Sequence, residues 1–519
     1  MTGNRALTFL RKERDIKMFN NFPILSALIW LPILGAIPVL FLRGKNNEHK
    51  ARCLALLIAG FSLLLCVLLV LQFNDNSAAM QFRERANWLP VLHINYDIGI
   101  DGISLPLLIL TCFTTFLIVL ASWTMVKKNV AEYLATFLVM QGMVVGVFVS
   151  IDAILFYFFW EGMLIPMYLS IGIWGGRNAS YAAIKFFVYT FLGSALLLVA
   201  FLYLGLHAQS FNILHFYNMH MSLKVQILVF LGFFIAFAIK VPMWPFHTWL
   251  PDAHTEAPTG GSVVLAALML KLGAYGFLRF SLPITPDASH TLAWFMVILS
   301  LISIIYIGFV AIAQTDMKKL IAYSSISHMG FVTLGCFMSL LIIEHTANLN
   351  TAYMSLEGAL AQMITHAFGS GAMFLAFGVL YEHLQTRKIS DFGGVAKTMP
   401  IFAAFFMLFA MSNVGLPGTS GFVGEFMILL SIFKVSVWVA MIAAFILVVG
   451  AVYTLWMYKR VFFGKITHDN VAKLKDVSGV DLLIFILLAI PVVWIGVDPN
   501  PMLNMFHASI GNLLTLATR

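Results

Sequence analysis

Long apolar runs, each of about twenty residues, recur between residues 22 and 497 and limit what this chain can fold into. Wound as a helix, twenty residues cover about 30 Å, the thickness of a bilayer's hydrocarbon core. A membrane barrel would show roughly ten-residue segments of alternating polarity instead, and no such alternation is present. In lipid every backbone N–H and C=O must find its partner within the protein, so uninterrupted apolar runs read as transmembrane helices. The expected fold is therefore all-α and polytopic. Composition agrees: 61% of the 519 residues are hydrophobic and 10% charged, far from the balance of a soluble domain.

Fourteen spans are predicted, near 22–42, 53–73, 103–126, 131–149, 152–173, 181–205, 225–249, 260–280, 291–312, 319–342, 357–381, 399–433, 436–458 and 480–497. Basic residues test the layout, because cytoplasmic loops are enriched in lysine and arginine. Loops after odd-numbered spans hold seventeen, including Arg43, Lys127, Lys128, Arg177, Lys318, Arg387, Lys459 and Lys475. Loops after even-numbered spans hold five: Arg83, Arg85, Lys224, Arg279 and Lys434. A missed or invented span would scramble this asymmetry. The odd loops are thus expected to be cytoplasmic, with both termini on the opposite side. The basic residues Arg5, Arg11, Lys12, Arg14 and Lys17 contradict that placement. Residues 1–17 are therefore read as a doubtful extension, with the true start expected at Met18.

The net charge of +8 lies on these short loops, not in a basic patch, so no nucleic-acid partner is expected. Cys53, Cys66, Cys112 and Cys336 are scattered, without a C-x-x-C spacing. That excludes a disulfide framework and the cysteine-rich metal signatures. No G-x-G-x-x-G or P-loop string occurs. No cofactor and no metal are expected in this chain.

Two spans are interrupted in similar words. Span seven reads Phe237-Ala238-Ile239-Lys240-Val241-Pro242, followed by Trp244 and Pro245; span twelve reads Phe409-Ala410-Met411-Ser412-Asn413-Val414-Gly415-Leu416-Pro417-Gly418. They lie five spans apart, and an odd offset inverts the second copy relative to the first. Paired broken helices in corresponding halves point to a transport site near the midplane. Two ordinary proline kinks are the plainer alternative.

Ionisable residues deep in the membrane cost roughly 2.5–3.5 kcal/mol each on insertion scales, so each needs a reason. Glu161 is central in span five, Lys240 falls at the break of span seven, Lys271 lies deep in span eight, and Glu425 follows the break of span twelve. His328 and His366 are mid-span, and histidine exchanges protons near physiological pH. Static ion pairs and satisfied core histidines are the structural alternatives. His247, Asp252, His254 and Glu256 cluster between spans seven and eight, where they either gate protons or cap a helix; Lys185 opens span six. Charged groups of both signs along one bundle suit proton transfer. A carboxylate about 4 Å from a buried lysine shifts its proton affinity by some three pKa units.

Phe246-His247-Thr248-Trp249-Leu250-Pro251-Asp252-Ala253-His254-Thr255-Glu256-Ala257-Pro258, running into Leu270-Lys271-Leu272-Gly273-Ala274-Tyr275-Gly276, resembles the signature of the proton-translocating antiporter-like family. Ala322-Tyr323-Ser324-Ser325-Ile326-Ser327-His328-Met329-Gly330 and Gly415-Leu416-Pro417-Gly418-Thr419-Ser420-Gly421-Phe422 are similar to its later half. The family includes membrane subunits of respiratory complex I (NADH-quinone oxidoreductase) and large subunits of multi-subunit sodium/proton antiporters.

The resemblance implies a proton-translocating subunit of complex I in a bacterial inner membrane, with periplasmic termini; a sodium/proton antiporter subunit is the alternative. It implies Glu161 and Lys240 as a coupled pair, Lys271 as the central lysine, His328 as a relay and Glu425 as the terminal group. His366, Lys185, His247 and His254 are secondary candidates from the residues themselves. Most sister chains carry lysine where Glu425 stands, and the glutamate favours the complex I branch. Two inverted five-helix units are implied, within 131–281 and 282–464, after N-terminal helices in 18–130 and before a last helix and tail in 465–519. By the same resemblance FMN, iron–sulfur clusters and quinone belong to partner subunits, the chain performs no redox chemistry of its own, and its partners are the bilayer and neighbouring antiporter-like chains.

Overall fold

Thirteen helices in the computed structural model, which describes residues 22–466 and 468–519, are long and apolar enough to cross a membrane. The fourteenth crossing is made by two shorter apolar helices, Pro400–Val414 and Ser420–Phe433, which together occupy predicted span twelve. All fourteen predicted spans are therefore present, most with ends shifted by a few residues. Residues 1–17 and Met18 lie outside the described residues.

Both predicted interruptions occur where backbone hydrogen bonding fails. Span seven runs as Leu223–Lys240, turns through 241–248, and resumes as the short helix Trp249–Glu256. Pro242 and Pro245 lack the N–H groups that a continuing helix needs. The freed groups are satisfied locally: Trp249 Nε1 donates to Ile239 O at 2.8 Å, and Trp244 N donates to Ser303 Oγ at 2.9 Å. Span twelve stops at Val414, where Gly415 takes the left-handed conformation at φ +80°. That region is readily open only to residues without a Cβ.

The spans differ sharply in burial. Spans eight (Thr259–Ile284), ten (Met317–Thr346) and eleven (Leu349–Leu384) are almost wholly enclosed by protein. Spans one, two, six and fourteen show most of their apolar surface to the outside. The three enclosed helices carry Lys271, His328 and His366, while the outer spans present Leu, Ile, Val and Phe on their exposed faces.

Two elements escaped sequence analysis. An antiparallel hairpin, β1 (Gln81–Leu89) and β2 (Ile94–Ile100), fills the connection between spans two and three. A helix, Asn500–Ala517, follows span fourteen. Its buried residues Met502, Phe506, Ser509, Ile510, Leu513 and Ala517 keep helical spacing, the pattern of a helix lying on a surface. Ser509 Oγ ties it to the start of span three by accepting from Gly102 N at 2.9 Å.

Two basic residues assigned to loops are buried inside helices. Lys318 is the second residue of span ten, and Arg279 lies within span eight, whose last turns include a π-helical stretch at Phe277–Ser281. The guanidinium of Arg279 grips Asp101 with two bonds of 2.8 and 2.7 Å. Lys318 sits between Asp316 and Lys319, a charged stretch that reads as loop, whereas Arg279 falls at the very end of predicted span eight.

Candidate proton-transfer site

The break of span seven builds the first part of the site. Lys240 ends its half-helix and is 1% exposed, and its ammonium has no hydrogen-bond partner among the described residues. Its Nζ stands 4.9 Å from the centre of the Trp160 ring, whose indole N–H donates to Ser194 Oγ at 3.0 Å. Glu161, next along span five, lies within Coulombic reach of Lys240 and beside Ser194. The expected Glu161–Lys240 pair is thus a through-space pair on adjacent helices.

Span eight approaches the same break closely. A Cβ on Gly273 would stand 2.7 Å from Phe237 O, so only glycine permits this contact. Two residues earlier on the same helix is Lys271, fully buried just after a π-helical turn at Leu265–Met269. π-turns displace backbone groups from regular pairing and recur at functional positions. Lys271 Nζ donates to Ala266 O at 2.6 Å and lies 2.7 Å from His366 Nδ1 of span eleven.

From there the contacts run without a long gap. The rings of His366 and His328 are centred 5.7 Å apart. His328 Nδ1 lies 2.7 Å from Glu425 Oε1, with Tyr453 OH at 3.4 Å from its other nitrogen. Gln362 Nε2 donates to the same Glu425 oxygen at 2.8 Å. Lys271, His366, His328 and Glu425 are all at most 5% exposed. They form one row of titratable groups running from enclosed spans eight, eleven and ten to the second half of span twelve. No hydrogen bond among the described residues joins Lys240 to Lys271, so the site comprises two clusters meeting at the contact of spans seven and eight.

The remaining candidates lie toward the basic loops. Lys185 Nζ pairs with Asp252 at 2.7 Å in a half-buried position, and His247 stands within Coulombic reach of Lys185. His254 is fully buried, stacked 4.6 Å from Phe374, and within Coulombic reach of Lys271 and Lys318. Glu256 faces outward from this group, accepting from Asn178 N at 2.9 Å and lying 3.4 Å from Arg387. A cavity of about 450 Å³ opens beside it, lined by Lys127, Lys318, Glu256, Glu382 and Arg387.

Residues 150–451 match the family model described as NADH:quinone oxidoreductase/Mrp antiporter, and residues 27–150 match that of the amino terminus of NADH-ubiquinone oxidoreductase chain 4. The chain belongs to the NADH:quinone oxidoreductase/Mrp antiporter family. Among its relatives, NADH-quinone oxidoreductase subunit M of Rickettsia prowazekii is 43% identical, over 95% of this chain and 99% of the relative. Subunit M of Rhodobacter capsulatus is 44% identical over 95% of this chain and 96% of its own length. A chain in the structure of respiratory complex I from Thermus thermophilus with bound NADH superposes at a TM-score of 0.84, with 30% identity and 94% and 99% of the two chains covered. One in the Mrp complex of Dietzia sp. shares the fold at a TM-score of 0.82 and 18% identity, covering 96% and 99%.

Within this family member, several site residues carried no signal in the charge pattern. Trp160, Ser194, Gln362 and Tyr453 touch the ionisable groups yet are uncharged, and mid-span serines and aromatics are common. Gln362 alone was traceable: it precedes His366 by four residues, one helical turn along the same face. Lys318 was counted as a loop residue, and its Nζ in fact donates to Ala257 O at 2.5 Å, beside His254.

Proposed function

We propose that this chain moves protons across the membrane as an antiporter-like subunit of an NADH-quinone oxidoreductase. The observation that carries the proposal is the buried row Lys271–His366–His328–Glu425, in which polar contacts of 2.7 Å at each end flank a histidine pair. Groups that exchange protons readily, at hydrogen-bond distance at each end of the row and joined by a histidine pair that ring motion can bring together, make a relay. Glu161 and Lys240 form the controlling pair: moving the carboxylate toward the ammonium favours its charged form, and moving it away releases the proton. Lys271 receives that proton, the two histidines pass it on and Glu425 discharges it. The groups near His247, Lys185 and His254 supply protons from the side of the basic loops.

Local geometry supports reading the halves 131–281 and 282–464 as inverted copies. In the first, the break of span seven faces Glu161 of span five; in the second, the broken span twelve faces His328 of span ten. The driving reaction, quinone reduction with its FMN and iron–sulfur clusters, resides in other subunits of the complex. Neighbouring antiporter-like chains flank this one in a bacterial inner membrane, with both termini periplasmic. The identity to subunit M relatives over nearly their whole length and the glutamate at 425 favour this reading over a sodium/proton antiporter subunit.

The test is proton uptake by vesicles containing the tagged, purified complex during NADH oxidation. Glu425→Gln or Lys271→Ala is expected to remove this chain's share of pumping. Unchanged pumping in both, or co-purification without NADH-quinone oxidoreductase activity, would sink the proposal.

A further inference from the structure

Glu425 does not present its two carboxylate oxygens equally. Oε1 receives His328 Nδ1 at 2.7 Å and Gln362 Nε2 at 2.8 Å, which occupies both of its lone pairs. Oε2 takes no hydrogen bond among the described residues and faces Gly415 at the break of span twelve: a Cβ placed there would stand 3.1 Å from it.

Backbone fit sets this asymmetry. The second half of span twelve presses on span eleven so closely that a Cβ on Gly424 would stand 2.5 Å from Gln362 N and 2.7 Å from its Cα. Glycine beside Glu425 therefore brings the carboxylate within reach of the amide. Gln362 and His366, one turn apart, share a face of span eleven. His366 meets the ring of His328, while Gln362 holds the carboxylate that His328 serves. Thr365 Oγ1 donates to Gln362 Oε1 at 3.4 Å, leaving the amide nitrogen as the end that faces Glu425.

We infer that Gln362 is a positioning residue for proton transfer, holding Glu425 Oε1 against His328 while the other side of the carboxyl stays open to the break of span twelve, where the proton is released. This deepens the proposed function and rests on it. In the step, the Nδ1–H bond of a protonated His328 breaks and an Oε1–H bond forms, leaving a neutral imidazole and a neutral carboxyl. Rotation of the carboxyl then turns the proton toward Gly415, where it passes to water and restores the carboxylate. The His328 ring, centred 5.7 Å from that of His366, then turns its emptied Nδ1 from the carboxyl and takes a proton as an N–H bond of a protonated His366 breaks. The other titratable group facing the carboxylate is Tyr453 of span thirteen (Val437–Phe462); the acidic residue of span fourteen (Gly479–Val497), Asp481, lies at its far end beside Thr124. From the first half of span twelve come only the uncharged Ser412 and Asn413.

The experiment compares Gln362→Met, which keeps length but removes the donor, and Gln362→Glu with the native complex in vesicles, measuring NADH oxidation and proton uptake across a pH series. Glu425→Gln serves as reference. Expected for both Gln362 variants is an assembled complex whose pumping falls several-fold, with the acid limit of pumping moved to higher pH because the charged carboxylate has lost a donor. A loss equal at every pH would show a merely structural role and overturn the inference, as would native pumping alongside a defective Glu425→Gln. Native pumping in Glu425→Gln itself would overturn the proposed function as well. Should Gln362→Glu fail to assemble, Gln362→Met alone decides.

Discussion

Lys271 Nζ and His366 Nδ1 stand 2.7 Å apart although 95 residues separate them, and both are enclosed by protein in the middle of the bundle. A lysine and a histidine held this close share a proton readily but do not both hold one, since two like charges repel strongly where the dielectric is low. The pair therefore behaves as a single exchange station between the two clusters.

That coupling has a measurable consequence. Lys271→Ala and His366→Ala are each expected to abolish this subunit's proton transfer, and the double variant to be no worse than either single one. Groups acting as a unit give such non-additive losses. Proton uptake per NADH oxidised by vesicles checks it; additive losses would mean two independent routes.

Trp160 provides a second test. Its ring lies 4.9 Å from Lys240 Nζ, and a desolvated cation–π contact contributes about 2 kcal/mol. Trp160→Leu is expected to lower pumping by roughly thirtyfold, since 1.4 kcal/mol is a factor of ten, and Trp160→Phe by less. Equal activity of the two variants would show that ring electrostatics does not set the state of Lys240.

Away from the relay, Arg279 and Asp101 anchor span eight to the start of span three. Breaking a buried pair by removing one partner costs about 3–5 kcal/mol. Asp101→Asn should lower the thermal midpoint of the purified complex without changing the protons moved per NADH in whatever folds. Loss of the proton ratio at an unchanged midpoint would place the pair in the pathway instead.

The same pair predicts an acid effect. Burial pushes the Asp101 carboxyl up, but Arg279 and Ser104 outweigh it and hold the group below its ordinary value of 3.8. A carboxylate with a lowered folded-state value stabilises the fold at pH above that of the unfolded chain, and the stability fades as pH falls below it. Unfolding of the native complex should therefore steepen below about pH 4, and Asp101→Asn should remove that part of the slope. An identical slope in the variant would count against the pair.

Lys185 and Asp252, 2.7 Å apart, present the opposite case. Both side chains are partly open, and exposed pairs contribute about 0–1 kcal/mol. Lys185→Ala is expected to leave the thermal midpoint within a degree or two; a pumping defect at that unchanged midpoint would support its role in proton supply.

Much of this architecture was readable residue by residue. Each span is announced by its own apolar run, because a helix in lipid satisfies its backbone internally and needs no neighbour to be defined. The breaks at Pro242 and Gly415 were equally local, arising from a missing N–H and a left-handed φ. Glu161, Lys240, Lys271 and Glu425 stood out because charge in an apolar run is costly. The partners of those charges had no such mark. Trp160 is unremarkable in a membrane helix until packing sets it against Lys240, and the spacing of Gln362 from His366 gives its face but not its contact with Glu425. The β1–β2 hairpin and the buried Arg279–Asp101 pair likewise depend on segments brought together from different parts of the chain. His328 meets Glu425 across 97 residues, and their meeting is set by how closely helices pack, where a glycine such as Gly424 decides the distance. Hydropathy along the chain specifies which helices exist and which charges they bury; only the packing between helices specifies which buried groups touch, since that depends on shape complementarity between surfaces far apart in the chain.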